Sequence, residues 1–457
     1  MGPSSFSMSV WTVAVLLAAV GVATVRLINK AQPDPYMDEI FHVPQAQNYC
    51  VGDYSHWDPM ITTLPGLYLS SVLWVEPVAR ILSLPTTDLC TTANLRLQNS
   101  MFLILNFLLF CWLLRKLHKS ISTTPCLLTA VSLTHLPVLY FSGLLYYTDA
   151  GSLFAVLLAY SLSLSHSHLL AGLVSLIAVV FRQTNILWVV FIAGSAFLQN
   201  LKNSAPSLSI SFSPGESIKL FLALLSLLLS LWPYMVVGLT FALFLVWNGS
   251  VVVGDKTHHQ MHVHLPQIFY FVSFSIFFSL PYLLGSVRLW REFLRGMRKK
   301  KMIVGVVCLL LFSLVSVHYF TQVHPYLLAD NRHYPFYVWR KVFQRHESIK
   351  YLLTPFYSIA TAFLLHSLAK TQAPLWILLF SSVCLLVLVP QQLLEFRYFI
   401  IPHAMLRLHL PPPSPSRSLP LLFEALLNVA VNYAAIWVFL NVPVRWEHDN
   451  STHHFMW

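Results

Sequence analysis

Charged side chains are scarce in this sequence. Asp, Glu, Lys and Arg make up 10% of the 457 residues, whereas 56% of the residues are apolar and the mean hydropathy is +0.66. Because soluble domains carry about 25% charged residues, this composition excludes an ordinary soluble protein. Acidic residues are the scarcer sign, which leaves a net charge of +11. The basic residues fall in short loops between apolar runs, and no basic patch is interleaved with aromatic side chains on a soluble face, so we do not expect nucleic-acid binding.

Several motifs of soluble enzymes are also missing. The sequence has no Gly-rich phosphate loop, no dinucleotide-binding fingerprint and no G-x-S-x-G elbow, which argues against nucleotide binding. The six cysteines form no C-x-x-C pair and show no metal-ligand spacing. A group of histidines lacks the carboxylate of an H-E-x-x-H motif, and we interpret it as a solvated loop rather than a metal site: His258, His259, His262 and His264.

Long apolar runs are abundant. A helix needs about 20 apolar residues to cross a bilayer. Runs that approach or exceed this length lie at 8–28, 97–114, 126–146, 150–167, 219–246, 266–286, 302–319, 350–368, 374–390, 396–410 and 419–440, and a run at 169–199 is interrupted at 181–185. We predict an all-α polytopic membrane protein, one domain over residues 1–457, with about 13 transmembrane helices (range 11 to 14). The first run lacks a basic n-region and a clear cleavage site, so we interpret it as a retained span rather than a signal peptide.

The run at 61–84 decides the topology because it contains Pro65, Glu76 and Arg80. If it does not cross, the basic clusters at 115–119 and 288–301 both fall in the cytosol, as the positive-inside rule requires. We therefore predict an interfacial or re-entrant segment within a non-cytosolic loop over 29–92. A first helical bundle over 93–199 and a second over 219–457 follow, and the second includes a non-cytosolic loop at 320–349.

The same topology gathers the unusual polar segments on the non-cytosolic side: the loop at 29–92, the turn at 147–149, the loop at 320–349 and the stretch at 391–398. It also places two N-x-S/T sequons there, which makes Asn248 and Asn450 glycosylation candidates.

Acidic residues cluster in the first long loop. Five of the 17 in the chain lie between Asp34 and Asp58. The adjacent Asp38 and Glu39 should repel each other, which can raise a pKa toward the range useful for a general base. The alternative is a solvated acidic loop.

Three further segments carry polar groups where an apolar chain should not. The loop at 320–349 is basic on the side where basic residues are rare, which suggests an anionic ligand held by Arg332, His333 or Arg345, although these side chains could also extend to lipid headgroups. Glu395 and Arg397 begin an apolar run, and ions in such positions are usually functional. The break at 181–185 is polar backbone at membrane depth, which is tolerated where it lines a cavity.

Five motifs in order resemble one known family, the dolichyl-phosphate-glucose-dependent α-1,2-glucosyltransferases of the endoplasmic reticulum: 36–42 (YMDEIFH), 57–66 (WDPMITTLPG), 181–186 (FRQTNI), 328–334 (LADNRHY) and 394–399 (LEFRYF). The family belongs to the GT-C class, in which the first luminal loop carries an acidic catalytic residue and interfacial helices. The resemblance implies an inverting transfer of glucose from dolichyl-phosphate-glucose to the diglucosylated dolichyl-diphosphate oligosaccharide. It also implies a multi-pass protein of the endoplasmic-reticulum membrane, embedded in lipid, with its active site facing the lumen.

The resemblance also implies roles for individual residues. Asp38 is the expected base, with Glu39 orienting it or the sugar, although either could be the base. The expected donor-phosphate and substrate-binding residues are His42, Asp58, Arg182, Gln183, Asp330, Arg332, His333, Glu395 and Arg397. No cofactor is expected, and a divalent metal is not demanded because the donor has no diphosphate to neutralise.

Two other functions stay open at this point. A GT-C mannosyltransferase differs from the glucosyltransferases only in the family motifs. A polytopic transporter shares broken helices and intramembrane charges, but it should show an internal repeat and polar groups near the midplane, and the two halves of this sequence are not similar. The sequence leaves open whether Cys50 and Cys90 form a disulfide.

Overall fold

A computed structural model describes residues 3–204, 225–226, 228–257, 261–412, 418–446 and 449–457. The protein is an all-α polytopic membrane protein. Its described α-helices are α1 (Pro3–Ala31), α2 (Glu39–Cys50), α3 (Gly66–Leu82), α4 (Thr86–Leu89), α5 (Thr92–Leu117), α6 (Thr123–Thr134), α7 (Pro137–Leu144), α8 (Asp149–Leu164), α9 (His168–Phe181), α10 (Ile186–Ser204), α11 (Trp232–Asn248), α12 (Gln267–Phe278), α13 (Leu280–Gly285), α14 (Val287–Gly296), α15 (Lys300–Phe320), α16 (Pro325–Ala329), α17 (Tyr334–Val338), α18 (Ser348–Leu352), α19 (Thr354–Leu368), α20 (Pro374–Leu388), α21 (Ile400–His409) and α22 (Leu419–Asn441). Tighter or wider turns occur at Gln183–Asn185 and Phe396–Phe399 (3₁₀) and at Trp339–Phe343 (π).

Apolar helices of bilayer length occur throughout the chain. Within the described ranges, six are long and apolar enough to cross: Phe6–Ala31, Thr92–Leu117, Gln183–Lys202, Lys300–Phe320, Ser348–Leu368 and Leu419–Asn441. Helices α6 and α7 together form a seventh candidate, bent by 61°. Shorter apolar helices are α8, α9, α11, α12 and α20. The protein therefore passes the membrane several times, and the total of about 13 spans stays a prediction.

Several of the predicted runs are not single straight helices, and two of them show the reasons. The run at 126–146 bends before Pro137, because a residue that precedes proline is held out of the α region and proline cannot continue the hydrogen-bond ladder. The run at 396–410 forms a 3₁₀ turn and the ten-residue α21, in which all but one residue are fully buried. A helix enclosed by other helices does not face lipid, so it is not required to reach both membrane surfaces.

The polar break between α9 and α10 is present in the structure. Arg182 is extended (φ −154°, ψ 122°), and the 3₁₀ turn follows it. The Asn185 amide ties the break to α8 and α9, since it donates to the Ser152 hydroxyl at 2.7 Å and to the Ala178 carbonyl at 2.7 Å. Gly66 begins α3 directly against this break, where a Cβ would lie 2.6 Å from the Phe181 nitrogen. Only glycine permits this approach, which brings the first loop to the break.

The first loop is tied to the bundle in two further ways. A disulfide joins Cys50 at the end of α2 to Cys90 just before α5. The run at 61–84 contains α3, which has 17 residues, packs on α2, α5 and α9 and is not among the bilayer-length spans. Its interfacial or re-entrant position remains a prediction.

A C-terminal hairpin, which the sequence analysis did not anticipate, completes the fold. Strands β1 (Pro443–Trp446) and β2 (Asp449–His454) are antiparallel. The Tyr36 hydroxyl donates to the His454 carbonyl at 2.5 Å, and the Met456 amide donates to the Arg332 carbonyl at 2.9 Å. The C-terminal segment thus joins the first loop to the loop at 320–349.

Candidate active site

A cavity of about 380 Å³ opens where the first loop meets the break after α9, the start of α8 and the turn before α21. Six of the eleven predicted catalytic and substrate-binding residues line it: Asp38, His42, Arg182, Gln183, Glu395 and Arg397. The other five do not: Glu39, Asp58, Asp330, Arg332 and His333. The six residues that line the cavity come from three of the predicted polar segments. The structure therefore brings together groups that are more than 350 positions apart in the chain.

The backbone conformation of Met37 directs the two adjacent acidic side chains, Asp38 and Glu39, to different places. It adopts a left-handed backbone conformation (φ +54°), which costs a non-glycine residue roughly 1–2 kcal/mol. The turn lets Asp38 face the cavity while Glu39 enters the core as the first residue of α2. Strain of this kind persists where the surrounding structure enforces it, and it occurs frequently at functional sites.

Glu39 is enclosed by structural partners. Its side chain and that of Arg96 are both fully buried, and they form an ion pair at 2.5 Å. The carboxylate also accepts hydrogen bonds from the backbone amides of Tyr146 at 2.7 Å and Tyr36 at 3.0 Å. The expectation that Glu39 orients the base or the sugar is not supported by its position, because these contacts hold it outside the cavity.

Asp38 is paired with a cation instead of repelled by its neighbour. The Arg397 guanidinium donates to the Asp38 carboxylate at 3.1 Å. Burial pushes the pKa of Asp38 upward, but Arg397, His42 and His333 outweigh it, and the pKa lies below its usual value. The expectation of a raised pKa was wrong, because Arg96 neutralises Glu39 and Arg397 stabilises the charge on Asp38. With 43% of its side chain exposed, Asp38 is open to the cavity.

Asp149 lies beside Arg397 and Arg182 and has no role assigned from the sequence. Its carboxylate is 3.0 Å from Arg182 and 3.9 Å from Arg397, and its side chain is 1% exposed. Among the described residues, neither carboxylate oxygen has a partner with hydrogen-bond geometry. Two guanidinium groups therefore share one buried carboxylate that neither saturates. The signal in the sequence was an acidic residue at the start of a strongly apolar run.

Aromatic side chains hold the ionic groups in place. Arg397 lies over the Tyr147 ring, 5.0 Å from its centroid, and the Tyr147 hydroxyl accepts from the Asp38 amide at 3.3 Å. His42 and the Tyr68 hydroxyl are 2.6 Å apart. Burial lowers the pKa of His42 to about 4, so this imidazole is neutral near pH 7. Arg397 also pairs with Glu395 on the adjoining turn.

The remaining predicted residues lie around the cavity rather than in it. The Asp58 carboxylate accepts from the Met60 amide at 2.8 Å and shapes the loop before α3. Arg332 forms a bidentate pair with Asp330, at 2.6 Å for the closest atoms. His333 is near enough to Asp38 to lower its pKa, and its imidazole is 3.0 Å from the Trp457 carbonyl oxygen. Arg332 and His333 are therefore not the first cations that a molecule in the cavity would meet.

The structure also locates the residues considered for metal binding and glycosylation. Within the described part of the chain, no group of three or more His, Cys, Asp or Glu side chains is arranged to hold a metal ion. His258 and His259 lie outside the described residues, and His264 is buried against the Gln392 carbonyl. Asn248 ends α11, with its amide bonded to the backbone of the following turn, whereas the side chain of Asn450 lies outside the described residues. Both sequons stay candidates.

The chain is similar to known proteins over most of its length. Residues 32–408 match the model of the DIE2/ALG10 family. A human protein named Dol-P-Glc:Glc(2)Man(9)GlcNAc(2)-PP-Dol alpha-1,2-glucosyltransferase is 41% identical, and the alignment covers 94% of each chain. Proteins of the same name are 42% identical in rat, with 94% of each chain covered, and 33% identical in Arabidopsis thaliana, with 94% of this chain and 96% of the relative covered. No solved structure matches significantly. The chain belongs to the DIE2/ALG10 family.

Proposed function

We propose that this protein transfers glucose from dolichyl-phosphate-glucose to the terminal glucose of Glc2Man9GlcNAc2 on dolichyl diphosphate, and that it forms an α-1,2 linkage. The observation that supports this most directly is the Asp38–Arg397 pair, which sets a carboxylate and a cation side by side in one cavity. A glycosyl transfer from a lipid phosphate needs both: a base for the acceptor hydroxyl and a positive charge for the departing phosphate. The relatives whose alignments cover 94% of this chain have this activity in their names.

The reaction is a single displacement with inversion at the anomeric carbon. The 2-hydroxyl oxygen of the acceptor glucose attacks C1 of the donor glucose while the bond from C1 to the phosphate oxygen breaks. Asp38 takes the hydroxyl proton, and the electron pair of the broken bond leaves on dolichyl phosphate. Arg397 and Arg182 both line the cavity, and their guanidinium groups stabilise the negative charge that accumulates on that phosphate.

Asp149 keeps the two arginines close together before the donor binds. Two guanidinium groups in one cavity repel each other, and the buried carboxylate between them offsets that repulsion. Because its oxygens lack well-aligned hydrogen bonds, the arginines can turn toward a phosphate without breaking a saturated ion pair. Arg182 and Arg397, held by Asp149, therefore take the phosphate-binding role that the sequence also suggested for Arg332.

Donor binding should also strengthen the base. In the free protein Arg397 is the largest of the influences that lower the pKa of Asp38. When the phosphate shares Arg397, that influence weakens, and burial raises the pKa of Asp38 toward the working pH. A base with a pKa nearer the working pH accepts a proton more readily. The carboxylate would therefore become a better base when the donor is in place.

We place the protein in the endoplasmic-reticulum membrane with the cavity facing the lumen. The basic clusters at 115–119 and 288–301 favour this orientation by the positive-inside rule. The pairing of Cys50 with Cys90 in the first loop favours it independently, because disulfides persist in the oxidising lumen and are rare in the cytosol. A glycosylation tag inserted near Thr87 tests this, since an active protein whose tag stays unmodified contradicts it.

Transfer should not need a divalent metal. Arg182 and Arg397 supply the positive charge that a metal provides in many phosphate-transfer sites. We expect the rate to be unchanged after dialysis against EDTA, and restoration of a lost rate by Mg²⁺ or Mn²⁺ would contradict this.

A reconstituted transfer assay tests the function. Purified protein in lipid nanodiscs is given dolichyl-phosphate-glucose and the diglucosylated lipid-linked acceptor. We expect a product heavier by one hexose, with methylation analysis showing a new 2-substituted glucose and NMR showing an α linkage. Transfer from dolichyl-phosphate-mannose instead would identify a mannosyltransferase, and folded protein that transfers neither sugar would overturn the proposal.

A further inference from the structure

A second, separate hollow lies on the loop at 320–349. It has a volume of about 680 Å³ and is lined by Asn331, Phe336, Tyr337, Arg340, Lys341, Gln344 and Arg345. Three of these seven residues are cations, and none is acidic. The hollow shares no lining residue with the catalytic cavity.

Within the part of the chain that the structure describes, the three cations of the hollow, Arg340, Lys341 and Arg345, form no ion pair. Arg340 lies 5.5 Å from the Phe336 ring centroid and Lys341 lies 5.3 Å from that of Tyr337, so aromatic rings hold both cations without cancelling their charge. Elsewhere in this chain, Arg96, Arg182, Arg332, Arg397 and Arg407 all have carboxylate partners.

The segment that carries the hollow has the character of a membrane-surface element. It consists of α17, the π turn and the two residues that follow, and Trp339 and Phe336 are buried against the protein. Val338 and Val342 are exposed on the same segment. Cations beside exposed apolar side chains suit the level of lipid headgroups. On the proposed topology this segment is luminal, where basic residues in a short loop are otherwise disfavoured.

The acceptor carries phosphate groups of its own. The names of the relatives describe it as Glc2Man9GlcNAc2 attached to dolichyl diphosphate, so an oligosaccharide lies between the diphosphate and the glucose that reacts. When the outermost glucose is in the cavity, the diphosphate cannot also be there, because the donor phosphate occupies the arginines. The diphosphate stays at the membrane surface, attached to its dolichol.

We propose that Arg340, Lys341 and Arg345 bind the diphosphate of the lipid-linked acceptor, on the basis of the function proposed above. A diphosphate carries at least two negative charges. This charge is complementary to a hollow that is lined by three cations and by no acidic residue. The loop that carries the hollow also reaches the catalytic cavity, because Tyr326 of the same loop lines that cavity. One loop would thus hold the acceptor lipid and border the site of transfer.

The test is a triple variant, Arg340→Gln/Lys341→Gln/Arg345→Gln, in nanodiscs of neutral phosphatidylcholine. We expect KM for the lipid-linked acceptor to rise about tenfold, because the variant loses a few exposed charge-assisted contacts to the diphosphate. KM for the donor and kcat should stay within twofold, which also shows that the variant is folded. With the free oligosaccharide released from its lipid, the variant and the unmodified protein should have equal KM values.

Two comparison variants sharpen the result. Arg291→Gln/Arg295→Gln/Arg298→Gln removes the same charge from exposed side chains of the opposite, predicted cytosolic cluster and should leave all KM values unchanged. Arg340→Lys/Arg345→Lys keeps the charge and should recover most of the affinity.

Three outcomes would overturn the inference. These are an unchanged acceptor KM, an equal loss with the lipid-free oligosaccharide, and a loss that appears only when the nanodiscs contain phosphatidylinositol. The last would assign the hollow to anionic headgroups instead of the acceptor. Failure of the proposed function is a different result, because the unmodified protein would then transfer glucose to neither acceptor.

Discussion

Two buried ionic clusters in this protein contain similar side chains but differ in how completely their charges are paired by hydrogen bonds. Arg407 on α21 and Glu424 on α22 form a bidentate pair, with two hydrogen bonds of 2.8 Å and exposures of 3% and 1%. In the cavity, Asp149 is as deeply buried but lies between two arginines without well-aligned hydrogen bonds. The first cluster is saturated, whereas the second has capacity left for another charged group.

The difference separates structure from function. A buried ion pair recovers its desolvation cost only when geometry and hydrogen bonding are nearly complete, as they are for Arg407 and Glu424. Additional stabilisation comes from the Tyr282 ring, whose centroid is 3.9 Å from the Arg407 guanidinium. An incomplete cluster persists at a cost in stability, which a bound substrate can offset. Completeness, and not burial, therefore distinguishes the two kinds of site.

The largest expected effect on activity comes from the base. Asp38→Asn keeps the shape of the side chain but removes its ability to take a proton, so we expect transfer to fall by about 10² to 10⁴-fold. The measurement is the single-turnover rate in nanodiscs at saturating donor. Asp58→Asn is the matched control in the same loop and should stay within a few-fold of the unmodified protein. A similar modest change for Asp38→Asn would remove it from the role of base.

Arg397 should affect both donor use and the pH profile. Arg397→Gln should lower kcat/KM for the donor by about a hundredfold. The acid limb of the profile reports loss of the ionised base as pH falls through the pKa of Asp38, which is depressed in the unmodified protein. Without the guanidinium, burial raises that pKa, so the acid limb should move to higher pH. Arg397→Lys retains the charge and should keep the limb at low pH. An unmoved limb in Arg397→Gln would contradict the assigned pairing.

Asp149 should affect phosphate binding by a smaller factor. Asp149→Asn removes the negative charge that offsets the repulsion between Arg182 and Arg397, so the two arginines should move apart and bind the product dolichyl phosphate several-fold less tightly. The measurement is the inhibition constant of dolichyl phosphate. Tighter inhibition by dolichyl phosphate would mean that Asp149 competes with the phosphate for the arginines instead of holding them together.

The saturated pair should show the least effect on activity. Arg407→Met leaves Glu424 buried without a partner and should cost about 3–5 kcal/mol of stability. The double variant Arg407→Met/Glu424→Met should recover most of that loss, and neither should change kcat per folded molecule. Thermal unfolding and active-site titration measure the two quantities. A loss of transfer in the stable double variant would show that this cluster also serves function.

Much of the site follows from residues that stand out against an apolar background. Arg182 and Arg397 stand out because polar and charged groups are costly within apolar runs, and Asp38 stands out because acidic residues cluster in the first loop; each lines the cavity. Glu39 belongs to the same acidic cluster, yet it is a core residue. Its partner Arg96 lies 57 positions away on α5, and no local pattern reveals that pairing.

The sequence by itself determined the membrane class, because composition and apolar run length set how a chain partitions between water and lipid. It also determined the break after α9, since a polar interruption cannot continue as a lipid-facing helix. Only the tertiary structure decided which acid faces the cavity, because one left-handed residue sets the direction of Asp38 and Glu39. It alone also distinguished saturated from unsaturated charges, because the completeness of an ion pair depends on the distances and angles between residues that the fold brings together.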